Sequence, residues 1–252
     1  VIFRIVRMTF CSCDYEVMGV DHIMKKLHEL GSEQTKRTLV RHGAVEPLFG
    51  VRISDLKPLV KEFRNSHALA LDLYATANSD AMYLAGLIAN KDEMTQADLQ
   101  DWATKATWSL IANTTVACLA AETSHALELI DQWITAEAEL VAACGWSTAA
   151  HYASITANDQ IDLVRFNHLL NIISTTIHDQ SDLLKGVMNH CLISLGCFVP
   201  ELTPSVKRAA QLIGEVSIDH GETACKTPSA LEAIKKVEEL GKLGKKKKRA
   251  RC

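Results

Sequence analysis

From Val20 onward, apolar residues recur three and four positions apart in nearly every segment, as in HALELIDQWI and FNHLLNIISTTI, and no stretch alternates like a half-buried strand. A period near 3.6 gathers apolar side chains on one stripe of a helix, whereas a strand needs a period of two. The chain is therefore predicted to be all-α, built of about a dozen short helices. The punctuation agrees. Gly31 and Ser32 end one helix and cap the next, Ser54 and Ser79 precede helical runs as caps, and Thr95 with Asp98 supplies a cap and an early carboxylate.

Helices rich in Ala and Gly alternate with more amphipathic ones. AMYLAGLIA, TVACLAAE, LVAACGWSTAA and LLKGVMNHCLISLG begin at 81, 115, 140 and 183, spacings of 34, 25 and 43 that bracket the period of helical-pair repeats. Small side chains let neighbouring backbones approach closely, which suits the inner layer of a superhelix; a globular orthogonal bundle would use the same residues. The spacing favours a solenoid of antiparallel helix pairs with a concave face. Composition divides the chain into an N-terminal appendage (1–17), a repeat domain (18–214), a C-terminal turn and helix (215–240) and a basic tail (241–252) whose two glycines read as a flexible tether.

No apolar run approaches the roughly eighteen residues that a bilayer span requires, so no membrane partner is expected. Eight cysteines lack the C-x-x-C spacing of a zinc site and point to reduced thiols. His220 and Cys225 in IDHGETACK lack further ligands nearby and read as a turn, and neither a metal nor a cofactor is expected. Gly-rich phosphate loops, H-E-x-x-H helices and nucleophile elbows are missing as well. The net charge of −3 conceals an asymmetry: +4 over residues 25–64, −13 over 65–240 and +7 over 241–252. So acidic a body repels a polyanion unless its cations are gathered in one place, and DNA binding would depend on the two basic segments.

GSEQTKRTLVRHG, then EPLFGVRISDLKPLVKEF and LALDLYATANSDAMYLAGLIANKDEMTQADLQDWATKATW, resemble the HEAT-like-repeat DNA alkylation-repair family, with similarity from about Met18 to Pro200. The most specific pieces are FGVR at Phe49 to Arg52 and the LAGLIA…MT..DL..W block. IDHGETACKTP and GKLGKKKKRARC look like the ending of a subgroup of DNA alkylation-repair proteins. The resemblance implies a HEAT-like superhelix and, in active members, a glycosylase that releases N3- or N7-alkylated purines. Such a base is cationic and already a good leaving group. The enzyme has mainly to stabilise a sugar oxocarbenium ion and orient water, which is work for a carboxylate. In active members that carboxylate lies on a Trp-Trp-Asp-x-x-Asp type helix whose indole faces cradle the cationic lesion, and an arginine about thirty-five residues later grips a phosphate.

Carried over residue by residue, the resemblance puts Trp108 and Trp146 at lesion or sugar contacts, Ala112 where the catalytic Asp stands and Thr148 where the arginine stands. Neither Ala112 nor the following Asn113 carries charge, so two of the three chemical roles are absent. No catalytic residue is assigned. Glu122, which closes an apolar segment of the same helix, is the candidate for a displaced carboxylate, while Glu128, Asp131, Glu137 and Glu139 read as solvated acids at helix ends. Trp102 and Trp133 read as core.

Lys36, Arg37 and Arg41 on one predicted helix, then Arg52, Lys57, Lys61 and Arg64, make up the net positive portion of the body. With Lys245, Lys246, Lys247, Lys248, Arg249 and Arg251 of the tail, they are the candidate phosphate contacts. Three functions stay open. The first is a DNA-binding protein that engages duplex, damaged or branched DNA through its backbone, with little or no base excision. The second is a 3-methyladenine/7-methylguanine DNA glycosylase with a displaced carboxylate, and the third, favoured by the acidic body, is a protein-interaction solenoid. A monomer acting at the nucleoid in the cytoplasm is the expectation.

Overall fold

The computed structural model describes residues 12–221, 223 and 225–251, so most of the expected appendage lies outside the described residues. In chain order the helices are α1 (Ser12–Leu30), α2 (Glu33–Arg41), α3 (Lys57–Glu62), α4 (His67–Ala75), α5 (Ser79–Ile88), α6 (Gln96–Lys105), α7 (Ala117–Ala121), α8 (Ala126–Trp133), α9 (Glu139–Ile155), α10 (Leu163–Thr176), α11 (Asp182–Phe198), α12 (Thr203–Ile213) and α13 (Ala230–Glu239). No strand occurs among the described residues. Because α1 runs unbroken through residues 17 and 18, the boundary expected there falls inside a helix.

The four small-residue segments form the inner layer, as their spacing predicts. α5 packs on the turn that leads into α7, α7 on α9, and α9 on α11, while α4 backs α5, α8 backs α9, and α10 and α12 back α11. Gly145 shows why the small residues are needed: a Cβ there would lie 2.7 Å from Ile134 N and 2.8 Å from Trp133 Cβ, so α8 could not approach α9 this closely. The core has two halves that meet on α9. Val141 and Cys144 belong to the first, which starts at Ile23, and Ala143, Trp146 and Ala150 to the second, which ends at Ile234. Trp102 and Trp133 lie in the first half. The Tyr74 ring stacks on Trp102 at 4.0 Å, and Trp133 Nε1 donates to Gln100 Oε1 at 2.6 Å.

The helix ends largely follow the sequence. Ser32 caps α2 by accepting from Thr35 N, and Thr95 with Asp98 forms a full capping box on α6. Two caps differ. Asn78, not Ser79, caps α5, because its longer amide side chain reaches both Asp80 N and Ala81 N. Ser54 sits inside a short 3-10 turn, Ile53–Leu56, and caps nothing.

Candidate nucleic-acid interface

The FGVR element owes its shape to a clamp between α2 and α5. Gly50 takes φ +78, and a Cβ there would lie 2.5 Å from Lys36 N and 2.7 Å from Ser32 O, so only glycine fits. Asp80, buried in the first turn of α5, accepts from the backbone N–H groups of Phe49 at 2.6 Å, Gly50 at 3.1 Å and Val51 at 2.9 Å. The clamp holds Arg52 at the surface beside the exposed Arg37 and Arg41 of α2, with Lys57 and Lys61 exposed on α3. None of these five is ion-paired among the described residues. Lys36 differs from them, since its Nζ lies 2.7 Å from Glu46 Oε1 and the hydrogen bond raises its pKa.

The helix that the resemblance would give the excision chemistry begins irregularly. Ile111–Val116 forms a π-helix leading into α7, with Ala117 N–H donating to Ala112 O. Ala112 and Thr148 are wholly buried, and the Thr148 hydroxyl donates back to Cys144 O at 2.7 Å. Trp108 and Trp146 are buried too, one in each half of the core. This corrects the expectation for the two indoles: with their faces covered by core side chains, they cannot cradle a base.

Glu122 lies at the C-cap of α7 and is closed from both sides. Its Oε2 accepts from Arg251 Nε at 2.9 Å and lies 2.8 Å from Arg251 Nη2, while Oε1 accepts from the backbone N–H groups of Ala250 at 2.8 Å and Arg251 at 3.0 Å. Only 8% of the Glu122 side chain and 15% of Arg251 are exposed, so neither carboxylate oxygen is aimed at an open groove. Arg251 Nη1 donates further to Gly86 O at 3.0 Å and Ala89 O at 2.9 Å, at the end of α5.

The remainder of the tail follows the same edge. Gly244 N–H donates to Cys197 O at 2.9 Å, Lys247 N–H to Ser154 O at 2.8 Å, and Lys246 Nζ to Ala153 O at 2.7 Å. The strap therefore crosses the C-terminal ends of α11, α9, α7 and α5 in turn. The last carbonyls of a helix have no partner within it, and that end carries partial negative charge. A basic strap meets both needs.

Two expectations about the tail are corrected by this geometry. Gly241 and Gly244 take φ +61 and +72 at turns and do not form a flexible tether. The six cations also divide: Lys246 and Arg251 point inward, while Lys245, Lys247, Lys248 and Arg249 are exposed, with Lys247 Nζ 5.4 Å over the Phe198 ring. Burial pulls the pKa of Lys246 down to about 8.

Beside the strap, His151 of α9 donates from Nε2 to Asn113 O at 3.0 Å. Burial lowers its pKa to about 4, with His190 and Lys247 opposing a positive charge as well, so the ring is neutral. The α2–Arg52 patch sits at the N-terminal end of α5 and the strap at its C-terminal end. Two cationic borders thus flank the inner layer, about 15 Å apart along α5 at 1.5 Å per residue. At the far end of the chain, His220 Nε2 and Thr227 Oγ1 share a hydrogen bond at 3.0 Å that closes the expected turn, and Cys225 is exposed. Among the described residues, no three His, Cys, Asp or Glu side chains group to hold a metal ion.

A family described as DNA alkylation repair enzyme matches residues 23–205. Uncharacterised proteins from Listeria innocua and Listeria monocytogenes are each 27% identical over 222 residues, spanning 86% of this chain and 96% of theirs. A solved structure described as a new family of proteins related to the HEAT-like repeat DNA glycosylases, with affinity for branched DNA structures, matches with a TM-score of 0.86. It is 30% identical and covers 92% of this chain and 99% of its own.

Proposed function

Since the chain belongs to the DNA alkylation repair enzyme family, we propose that it binds DNA through the phosphate backbone, prefers branched structures, and excises alkylated bases slowly or not at all. The observation that carries this reading is the closure of Glu122. Its charge is already matched by a guanidinium and two backbone N–H groups, so it has little left to offer an oxocarbenium ion. Losing such an electrostatic stabiliser costs roughly two to three orders of magnitude in rate, and the lability of a cationic base offsets only part of that. The two cationic borders supply phosphate contacts without base reading. The likeness to a protein with affinity for branched DNA supports the choice of partner. Work at the nucleoid follows from this reading.

The test joins two measurements. Gel shifts at several salt concentrations on linear duplex, alkylated duplex and a four-way junction should show the junction bound most tightly. Single-turnover release of 7-methylguanine and 3-methyladenine should stay near the uncatalysed rate for the natural protein and for Glu122→Gln alike. Rapid release that Glu122→Gln abolishes without loss of affinity would instead establish a glycosylase with a displaced carboxylate. Absence of affinity for every DNA would leave the protein-interaction solenoid.

A further inference from the structure

We propose that residues 244–251 form a fixed phosphate-binding rail, positioned by Arg251 and Lys246, and that holding the rail in place is what lets the protein favour branched over linear DNA. The inference rests on the DNA-binding reading and assigns the tail's residues to two separate tasks. Eight hydrogen bonds tie the strap to the body, one each to Cys197, Ala153, Ser154, Gly86 and Ala89 and three to Glu122, where Arg251 Nη2 adds an ion pair.

The donors of Lys246 and Arg251 are turned inward. Lys246 gives its ammonium to Ala153 O, and Arg251 divides its guanidinium between Glu122 and the two carbonyls at the end of α5. The side chains left for a ligand are Lys245, Lys247, Lys248 and Arg249. Ala250 between the two groups packs on Cys118 and Ala121, which fixes where Arg249 leaves the surface.

Fixing matters because of what each kind of charge can read. A cation on a flexible tether releases counterions from any polyanion it meets and so adds affinity without choice. A cation held in place is reached only by a phosphate that arrives there. The second border, at Arg37, Arg41 and Arg52, lies at the other end of α5, so a ligand gains both only if it brings phosphates to both edges of the inner layer. Strands that diverge at a branch point can do so more readily than one straight duplex. Pre-ordering the backbone that carries the four side chains also avoids the entropy of immobilising that segment on binding.

The experiment compares the natural protein with Arg251→Gln, with Arg251→Lys, and with a quadruple variant carrying Lys245→Gln, Lys247→Gln, Lys248→Gln and Arg249→Gln. The readouts are affinity for a four-way junction and a linear duplex across salt concentrations, tryptic release of the C-terminal peptide from the free protein, and thermal melting. The quadruple variant should lose up to about 3–4 from the salt slope on the junction, at roughly 0.9 per phosphate contact. Arg251→Gln should free the tail to trypsin and lower the junction-to-duplex affinity ratio roughly tenfold or more, while keeping its duplex salt slope. Arg251→Lys, which can still pair with Glu122 but not span both sites, should recover part of each.

If Arg251→Gln stays trypsin-resistant, or frees the tail with the affinity ratio unchanged, the anchor does not set selectivity and the proposal is wrong. If the quadruple variant keeps its salt slope, the rail does not bind phosphate. A natural protein that binds neither DNA would sink the DNA-binding reading itself, and that result is visible before any substitution is made.

Discussion

Protonation of His151 tests how tightly the inner layer closes around its polar groups. Its Nε2 proton is given to Asn113 O, so a second proton has to go to Nδ1. Burial is the largest obstacle to that proton, His190 and Lys247 add to it, and the Asn113 carbonyl and Glu122 oppose it. The result is a pKa lowered from 6.5 to about 4. Between those values the unfolded chain holds the proton and the folded chain does not. The stabilisation is therefore fully present above 6.5 and is lost as the pH falls towards 4. At about pH 5 the unfolded His151 is nearly all protonated and the folded one roughly a tenth so, and the linkage integral comes to about 2 kcal/mol relative to neutral pH. Urea unfolding of the natural protein and of His151→Gln at about pH 7.5 and about pH 5 measures the effect, with the m-value as a check on two-state behaviour. Glutamine can still donate to Asn113 O but does not titrate, so the variant should lose about 2 kcal/mol less across this interval. Equal losses in the two proteins would refute the reasoning and show the ring to be open to water.

Four variants probe the rest of the site. Gly50→Ala forces a side chain into a positive φ and against Lys36 N, and should lower stability by about 1–3 kcal/mol in thermal melting. Asp80→Asn removes the charge that holds three backbone N–H groups and should cost about 2–3 kcal/mol by urea unfolding, loosening Arg52 with it. Trp108→Phe should change stability by no more than about 1.5 kcal/mol and leave DNA affinity unaltered, since the buried Nε1 has no hydrogen-bond partner among the described residues to lose. A large loss of affinity in a folded variant would put the indole on the ligand. Ala112→Asp with Thr148→Arg, which would restore the family's chemical groups, should instead destabilise by about 3 kcal/mol or more and gain no base release, because both positions are wholly buried. Base release by that variant in a folded state would show the positions open to substrate.

The helices were legible because a 3.6 period and small-residue spacing are local signals, and the inner layer at 81, 115, 140 and 183 follows from them. The cap of α5 was misplaced by one residue because Asn78 and Ser79 are both good caps, and only the backbone shows that the amide reaches two N–H groups. FGVR was visible as a motif, yet its cause was not. Asp80 lies about thirty residues away and looks like any acid in a first helical turn. Glu122 stands out in the sequence by its place at the end of an apolar segment, but its partner is 129 residues further on. A run of cations after two glycines resembles a solvated linker in every local respect. What turns it into a strap is that four helices end on one edge, which is a property of the superhelix and of no segment within it.

That edge also explains how so acidic a body can face a polyanion. Four helix C-termini each present about half a negative charge, and Glu122 adds a whole one, so without the strap this border of the inner layer would repel phosphate. The strap reverses the sign in two steps. Lys246 and Arg251 offset most of the charge of the helix ends and Glu122 from within, and Lys245, Lys247, Lys248 and Arg249 then make the border net positive on its outer row. The same pairing that offsets the negative charge of this border also occupies both oxygens of the Glu122 carboxylate. On the proposed function, affinity for the DNA backbone and slow base excision would be two consequences of one contact, Arg251 on Glu122.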